Sequence, residues 1–211
     1  MSEERRNQLM KVTEANGLPV IEDDVYRDLW LDTPPVRPLK AEDTTGNVLY
    51  LGSLSKTISP GLRIGWIAGP QPVLERLADI KMQSDYGSSA LSQQVAAEWL
   101  SSGMYEQHVQ YVRQQLRMRR AAMLSSLDRH FTGIASWNVP AGGFYIWLKL
   151  HSPLPARALF DRALRQNILI NPGHLYDRDA NQYIRLSYSF ASLEHMEDSL
   201  ARLAAIIKSI S

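Results

Sequence analysis

The sequence predicts an α/β protein, on three observations. Apolar runs at Leu18-Pro-Val-Ile21, Val48-Leu-Tyr-Leu51 and Ile64-Gly-Trp-Ile-Ala68 lack alternation and end in acids, glycine or proline. Such runs read as strands buried on both faces. Stretches with helical periodicity stand between and after them. The composition, 45% hydrophobic and 21% charged, is that of a globular chain, and 211 residues suffice for one or two compact domains.

Each element has a local reason. Ser2 reads as a helix cap, with Glu3 and Glu4 in the positively polarised first turn, and that helix runs to about Asn16 before Gly17. The strand at 18–21 ends in Glu22-Asp-Asp24, and those at 48–51 and 64–68 follow. Pro72 opens a helix to about Ser84, and another runs from about Leu91 to Ser102 before Gly103. From Met104 to about His130, Val109, Val112, Leu116, Met123 and Leu127 recur at helical spacing with arginines between them. This predicts a long amphipathic helix with a solvated basic face. Trp137-Asn-Val139 and Gly143–Lys149 read as aromatic strands, followed by a helix over 156–166 and strands at 168–170 and 183–188. Ser192 caps a last helix that turns Leu193, Met196, Leu200, Leu203 and Ile207 inward. The change of pattern at Gly103 divides residues 1–103 from residues 104–211.

Charge and cysteine content exclude several classes. Twenty-three basic against twenty-two acidic residues leave a net charge of +1, no footprint for nucleic acid or anionic lipid over the chain as a whole. With no cysteine, disulfides, thiolate metal sites and cysteine nucleophiles are excluded, in keeping with a cytoplasmic protein. No apolar run approaches the roughly 18 residues of a membrane span, and no signal peptide is visible. The five histidines show no ligand spacing, so no metal is expected. The chain opens directly into a helix start, which reads as the later part of a longer protein.

In open α/β sheets ligands gather at the carboxyl ends of strands, so polar residues there carry the most information. Lys56 lies in Ser53-Leu-Ser55-Lys56-Thr57, followed by Ser59-Pro-Gly-Leu-Arg63. A lone lysine is ordinarily a solvated group. Beside hydroxyls, glycine and an arginine that together could cradle a phosphate, it could form a Schiff base with a carbonyl cofactor. Neither a P-loop nor a dinucleotide fingerprint occurs. Asp23 and Tyr26, three apart at a strand end, read alone as capping groups. Trp66, Trp147 and Tyr145 read as core. His174, after the Asn171-Pro-Gly173 turn, is the histidine to watch.

Taken together, Asp23-Asp-Val-Tyr26, Ser53-Leu-Ser-Lys56 and Gly61-Leu-Arg63-Ile-Gly-Trp66 resemble the fold-type I pyridoxal-phosphate aminotransferases. Pro140-Ala-Gly-Gly-Phe-Tyr-Ile-Trp147 and Ile184-Arg185-Leu-Ser-Tyr188 resemble that family's small-domain signatures. The lysine segment most resembles two subgroups: α-aminoadipate-type aminotransferases, and GntR/MocR-type regulators that fuse a winged helix-turn-helix to an aminotransferase-like domain. The family's phosphate loop and ring-stacking aromatic are not found in these residues.

The resemblance implies the C-terminal part of a pyridoxal-phosphate-dependent transferase fold. Residues 1–103 would be part of the large α/β/α cofactor domain, and residues 104–211 the smaller α+β C-terminal domain. It implies pyridoxal 5'-phosphate held as an aldimine on Lys56, which would also move the α-proton. Asp23 would pair with the pyridine nitrogen and Tyr26 with the phenolic oxygen. Ser53, Arg63 and, more weakly, Ser55 would hold the phosphate. Arg185 would clamp the α-carboxylate of an amino acid or 2-oxo acid; the alternative for Arg185 is a strand residue paired to a surface acid. A homodimer is implied, with DNA contacted only through an N-terminal winged helix if the parent is a regulator. A parent regulator and a parent aminotransferase need the same cofactor residues, so those residues leave both open.

Overall fold

The computed structural model describes residues 1–210, in two compact units, Met1–Val112 and the residues from Arg113 onward, so the division falls inside the longest helix. In the first unit, α1 (Glu3–Ala15) starts where the Ser2 hydroxyl accepts from the Arg5 amide at 3.4 Å. It is followed by Gly17 at φ +60, a left-handed position suited to glycine. Strands β1 (Val20–Asp23), β2 (Val48–Ser53) and β3 (Gly65–Ala68) form a sheet in that order. β1 pairs parallel with β2, Val20 beside Val48 and Asp23 beside Leu51. β3 returns antiparallel, Gly52 beside Trp66 and Ser53 beside Gly65.

A small core of Met10, Leu39 and Val48 lies between α1, β2 and the short helix α2 (Leu39–Glu42). Glu22 organises this corner. Its carboxylate accepts from the Leu39 and Lys40 amides at 2.8 and 3.0 Å and from Arg6 at 2.6 Å. Burial is thus compensated by donors on every side, as a buried charge requires. Asp43 does the same at the mouth of β2, accepting from Lys40 Nζ at 2.8 Å and from the Gly46 and Val48 amides at 2.9 and 3.1 Å.

The expectation of strands buried on both faces fails in this unit. Ile21 is 67% exposed and every residue of β3 is exposed. A doubly buried strand needs a layer on each side, and among the described residues one face of this sheet is left open. Helices α3 (Gln71–Asp85), with no buried residue, and α4 (Ala90–Ser101) follow. Helix α5 (Met104–His130) matches its expected bounds.

The second unit holds a four-stranded antiparallel sheet of β4 (Ala135–Trp137), β5 (Tyr145–Leu150), β6 (Asn171–Pro172) and β7 (Tyr183–Ser187), in the order β4-β5-β7-β6. Helices α6 (Ala156–Arg165) and α7 (Leu193–Ile210) complete it. Alternation sorts the sheet's faces. Ile146, Leu148, Leu150, Ile184 and Leu186 are buried, as are Leu127 and Phe131 near the end of α5 and Leu200, Leu203 and Ile207 of α7. Ser192 caps α7, its hydroxyl accepting from the His195 amide at 3.2 Å.

Two expectations are corrected here. The run 168–170 is not a strand: Asn167 takes a left-handed φ of 59 and the Ile168 amide bonds back to the Ala163 carbonyl. Ile168 and Ile170 are buried as helix-end packing, and the ladder begins only at Asn171. Nor is the basic face of α5 simply solvated. Arg119 donates from Nε to the Tyr188 carbonyl at 2.7 Å and from Nη2 to that of Ala191, and Arg120 reaches the Pro140 carbonyl at 2.5 Å. Near the helix end Ser126, Arg129 and His130 all meet the Glu197 carboxylate of α7.

Candidate functional site: a lysine turn and an arginine between tyrosines

The first unit's polar residues converge on the open face of its sheet. Strand alternation and register place Ile21, Asp23, Leu51, Ser53 and Ile67 on one face. Asp23 and Ser53 thus occupy the carboxyl ends of neighbouring parallel strands, on the same side. The two acids after Glu22 have different surroundings. Asp23 is exposed, its carboxylate accepting only from the Val25 amide at 3.4 Å. Asp24 is partly buried and pairs with Arg27 at 3.0 Å. Burial raises its pKa, against the lowering pull of Arg27. Asp23 is therefore the exposed acid on this face, and Asp24 the partly buried, paired one.

After β2 the chain turns tightly. The Leu54 carbonyl accepts from the Ile58 amide at 2.9 Å and the Ser59 amide at 3.2 Å, and the Leu54 amide returns to the Ile64 carbonyl at 3.1 Å. Lys56 stands exposed on this turn with Nζ 5.7 Å from the centre of the Tyr26 ring, so two residues thirty positions apart lie close together. The turn is anchored from behind. His108 of α5 bonds through Nε2 to the Thr57 carbonyl at 3.0 Å and sits edge-on to Trp99 at 5.2 Å. Thr57 is buried, and its hydroxyl has no partner.

The anion-binding candidates are not equally available. Ser53 gives its proton to the Ile64 carbonyl at 3.0 Å and accepts from the Ser55 amide at 3.0 Å. Ser55 is half-buried, and exposed Arg63 touches only the Pro60 carbonyl, at 3.2 Å. Arg63 holds a left-handed backbone at φ 55, which costs a side-chain-bearing residue of order 1 kcal/mol or more and is a recurring mark of functional turns.

Arg185, in the second unit, lies on the half-exposed face of its sheet, beside Trp147 and Asn171 in register. Its guanidinium carbon is 4.0 Å from the centre of the Tyr145 ring and 4.2 Å from that of Tyr176. Its Nε is buried without a hydrogen-bond partner. No carboxylate pairs with it among the described residues, so the surface ion pair considered as its alternative role is not what the structure holds. The expectation that Trp66, Trp147 and Tyr145 are core is also corrected. Trp66 is 46% exposed and the other two are half-buried: Trp66 sits on β3, every residue of which is exposed, and Tyr145 and Trp147 lie on the half-exposed face of the second sheet.

Sequence reasoning missed His108 and Tyr176. His108 sits 51 positions beyond its partner, and Tyr176 lies in a loop with no periodicity, so neither had a local signal. His174 is exposed and joins nothing among the described residues. No cluster of three metal-binding side chains occurs there either, and no helix is long and apolar enough to cross a membrane.

The donor set suits a phosphorylated aldehyde of a pyridine. It offers an exposed amine, an acid on the same sheet face as a strand-end serine, a phenol beside the amine, and a hydroxyl and guanidinium for a dianion. Comparisons agree. The family model for aminotransferase class I and II matches residues 1–203. An uncharacterised HTH-type transcriptional regulator of Bacillus subtilis, YdfD, is 54% identical over the whole chain, which covers 44% of the regulator's length. The kynurenine aminotransferase of Pyrococcus horikoshii, solved in complex with PMP, superposes at a TM-score of 0.94 with 30% identity over 99% of this chain and 52% of its own. The α-aminoadipate aminotransferase LysN of Thermus thermophilus, complexed with a phosphopyridoxyl-leucine, gives 0.90 and 31% over 97% of this chain and 54% of its own. The chain thus spans about half the length of the proteins it matches.

Proposed function

The chain belongs to the class I and II aminotransferase family, and from that premise we propose that it is the C-terminal part of an HTH-type transcriptional regulator whose aminotransferase-like domain binds pyridoxal phosphate on Lys56. Its fold is the corresponding part of the pyridoxal-phosphate-dependent transferase fold. The observation that carries the regulator reading is the 54% identity to YdfD along the full chain, well above the 30% and 31% to the two enzymes. A second reading, part of a stand-alone amino-acid aminotransferase, rests on the close superposition with those enzymes.

Bound here, the cofactor would supply an electron sink for negative charge on an amino-acid substrate. The chain's own residues would do the rest. Lys56 would attach it covalently, and the nearby Tyr26 ring would position the amine. Asp23 would keep a proton on the pyridine nitrogen. Ser55 and Arg63 have side chains available for the phosphate. Ser53 has already spent its proton on the Ile64 carbonyl, so its contribution would require the hydroxyl to turn. Arg185 would take the carboxylate of an amino acid or 2-oxo acid as a planar fork. DNA would be contacted by a preceding helix-turn-helix domain, and the protein would act as a cytoplasmic homodimer.

The test is borohydride reduction of the full-length protein followed by peptide mapping. A pyridoxyl mass on the peptide holding Lys56 is expected, and its absence with intact folding would overturn the assignment. A DNA mobility shift that changes when pyridoxal phosphate and an amino acid are added together is expected of a regulator. Steady transamination without DNA binding would favour the enzyme, and a monomer in sedimentation would remove the dimer.

A further inference from the structure

We propose that Tyr145 and Tyr176 are positioning residues for ligand recognition: they flank the Arg185 guanidinium and present its edge, so that a carboxylate meets a preorganised fork. This rests on reading Arg185 as the carboxylate site. It adds residues that neither the family match nor the sequence motifs assign.

A free arginine samples many rotamers. Its side chain carries about 2 kcal/mol of rotamer entropy, and a bidentate contact requires nearly all of that freedom to be given up on binding. Here the ordering is already done. The guanidinium carbon lies 4.0 Å from one tyrosine centre and 4.2 Å from the other, well inside the roughly 6 Å over which a ring face attracts a cation. Tyr145 comes from β5 and Tyr176 from the loop before β7, so two separate segments fix one side chain. Tyr176 is itself held, lying edge-on to Trp147 at 5.9 Å, and Trp147 stacks on Tyr183 at 5.3 Å and 17°. The result is an aromatic row along the half-exposed face of the sheet, ending on a cation that has no acid beside it.

The buried, unpartnered Nε points independently to a ligand. A buried donor left unsatisfied costs about 1–3 kcal/mol, and ring faces compensate a positive charge without accepting its hydrogen bonds. A planar oxyanion reaching the fork in its plane could accept from Nε and from a terminal nitrogen together. Tyrosine faces therefore keep the charge stable while leaving the in-plane donors for an incoming carboxylate, which an aspartate neighbour would have occupied.

The test uses the full-length protein loaded with pyridoxal phosphate and two probes, L-alanine and ethylamine, which share an amine and differ by the carboxylate. The visible absorbance change of the bound cofactor gives each dissociation constant. Tyr176→Leu is expected to weaken L-alanine by about tenfold, the size of one good cation–π contact, and to leave ethylamine within about twofold. Tyr176→Phe, which keeps the ring face, is expected to restore L-alanine binding. An equal loss for both probes, or a phenylalanine variant no better than leucine, would overturn the positioning role. L-alanine binding no tighter than ethylamine in the unmodified protein would overturn it as well. Failure of the underlying cofactor reading looks different: no visible band forms and no pyridoxyl mass appears on the Lys56 peptide.

Discussion

Gly52 and Trp66 face each other across β2 and β3, and the indole lies over the glycine. A Cβ built on Gly52 would come within 2.2 Å of Trp66 Cε2. The glycine is needed for this close approach and not for an unusual backbone angle. Since Ser53 and the lysine turn follow Gly52 directly, the contact fixes where β2 delivers its polar end.

Gly52→Ala is therefore expected to destabilise the protein by about 1–3 kcal/mol, the usual penalty for overpacking. Trp66→Ala in the same chain should recover part of that loss. Urea unfolding of the four members of the cycle measures both effects, and additivity of the two substitutions would contradict the contact.

The two acids after Glu22 should separate cleanly. Asp23→Ala is expected to leave the unfolding midpoint within about 0.5 kcal/mol, as for an exposed residue, while weakening retention of pyridoxal phosphate on dialysis. Asp24→Ala strips Arg27 of its carboxylate partner and should cost about 1–3 kcal/mol of stability. Reversal of these two outcomes would move the cofactor's acid to Asp24.

Arg63 combines a strained backbone with an available cation. Arg63→Gly relieves the left-handed strain but frees the unfolded chain, so stability should change by less than about 1 kcal/mol. Arg63→Val, β-branched at φ 55, should destabilise by more than the glycine variant. Both should release pyridoxal phosphate more readily, as an equilibrium dialysis comparison would show.

Asp43 supplies a pH dependence with a defined sign. Burial of its carboxyl would raise the pKa, but donation by Lys40 and by the Val48 and Asn47 amides outweighs it and holds the group well below the usual carboxylate range. A depressed folded-state pKa means the contribution is complete above the unfolded value of about 3.9 and is lost as pH falls toward the folded value. The gap in urea midpoint between the native protein and Asp43→Asn should be constant from pH 7 to about 5 and narrow below about pH 4. A gap that widens on acidification would contradict the assignment.

Helices with marked ends were legible in the sequence. Ser2 and Gly17 bracket α1, Gly103 precedes α5, and Ser192 caps α7, because caps and left-handed glycines act within a few residues. The nearness of Lys56 to Tyr26 had no local signal, since the 29 positions between them carry no spacing rule of their own. Burial was read less well. Ile21, Trp66 and Ile67 look like interior residues by type, yet their exposure depends on what covers the sheet, which no local pattern encodes. The roles of His108 and Tyr176 were invisible for a related reason: one holds a carbonyl and the other a cation, and both partners belong to other segments.

Among the described residues β1 is joined to the sheet through β2 alone, by a register of four residues. An acid carried on such a strand binds only while the strand is docked, so measured affinity is the intrinsic affinity diluted by the docked fraction. A molecule that bridges Asp23 and the β2 turn clasps the two strands together and shifts that fraction upward. By linkage, whatever else tightens β1 onto β2 sharpens the site by the same factor. Occupancy of the site and local order at β1 then become two readings of a single equilibrium.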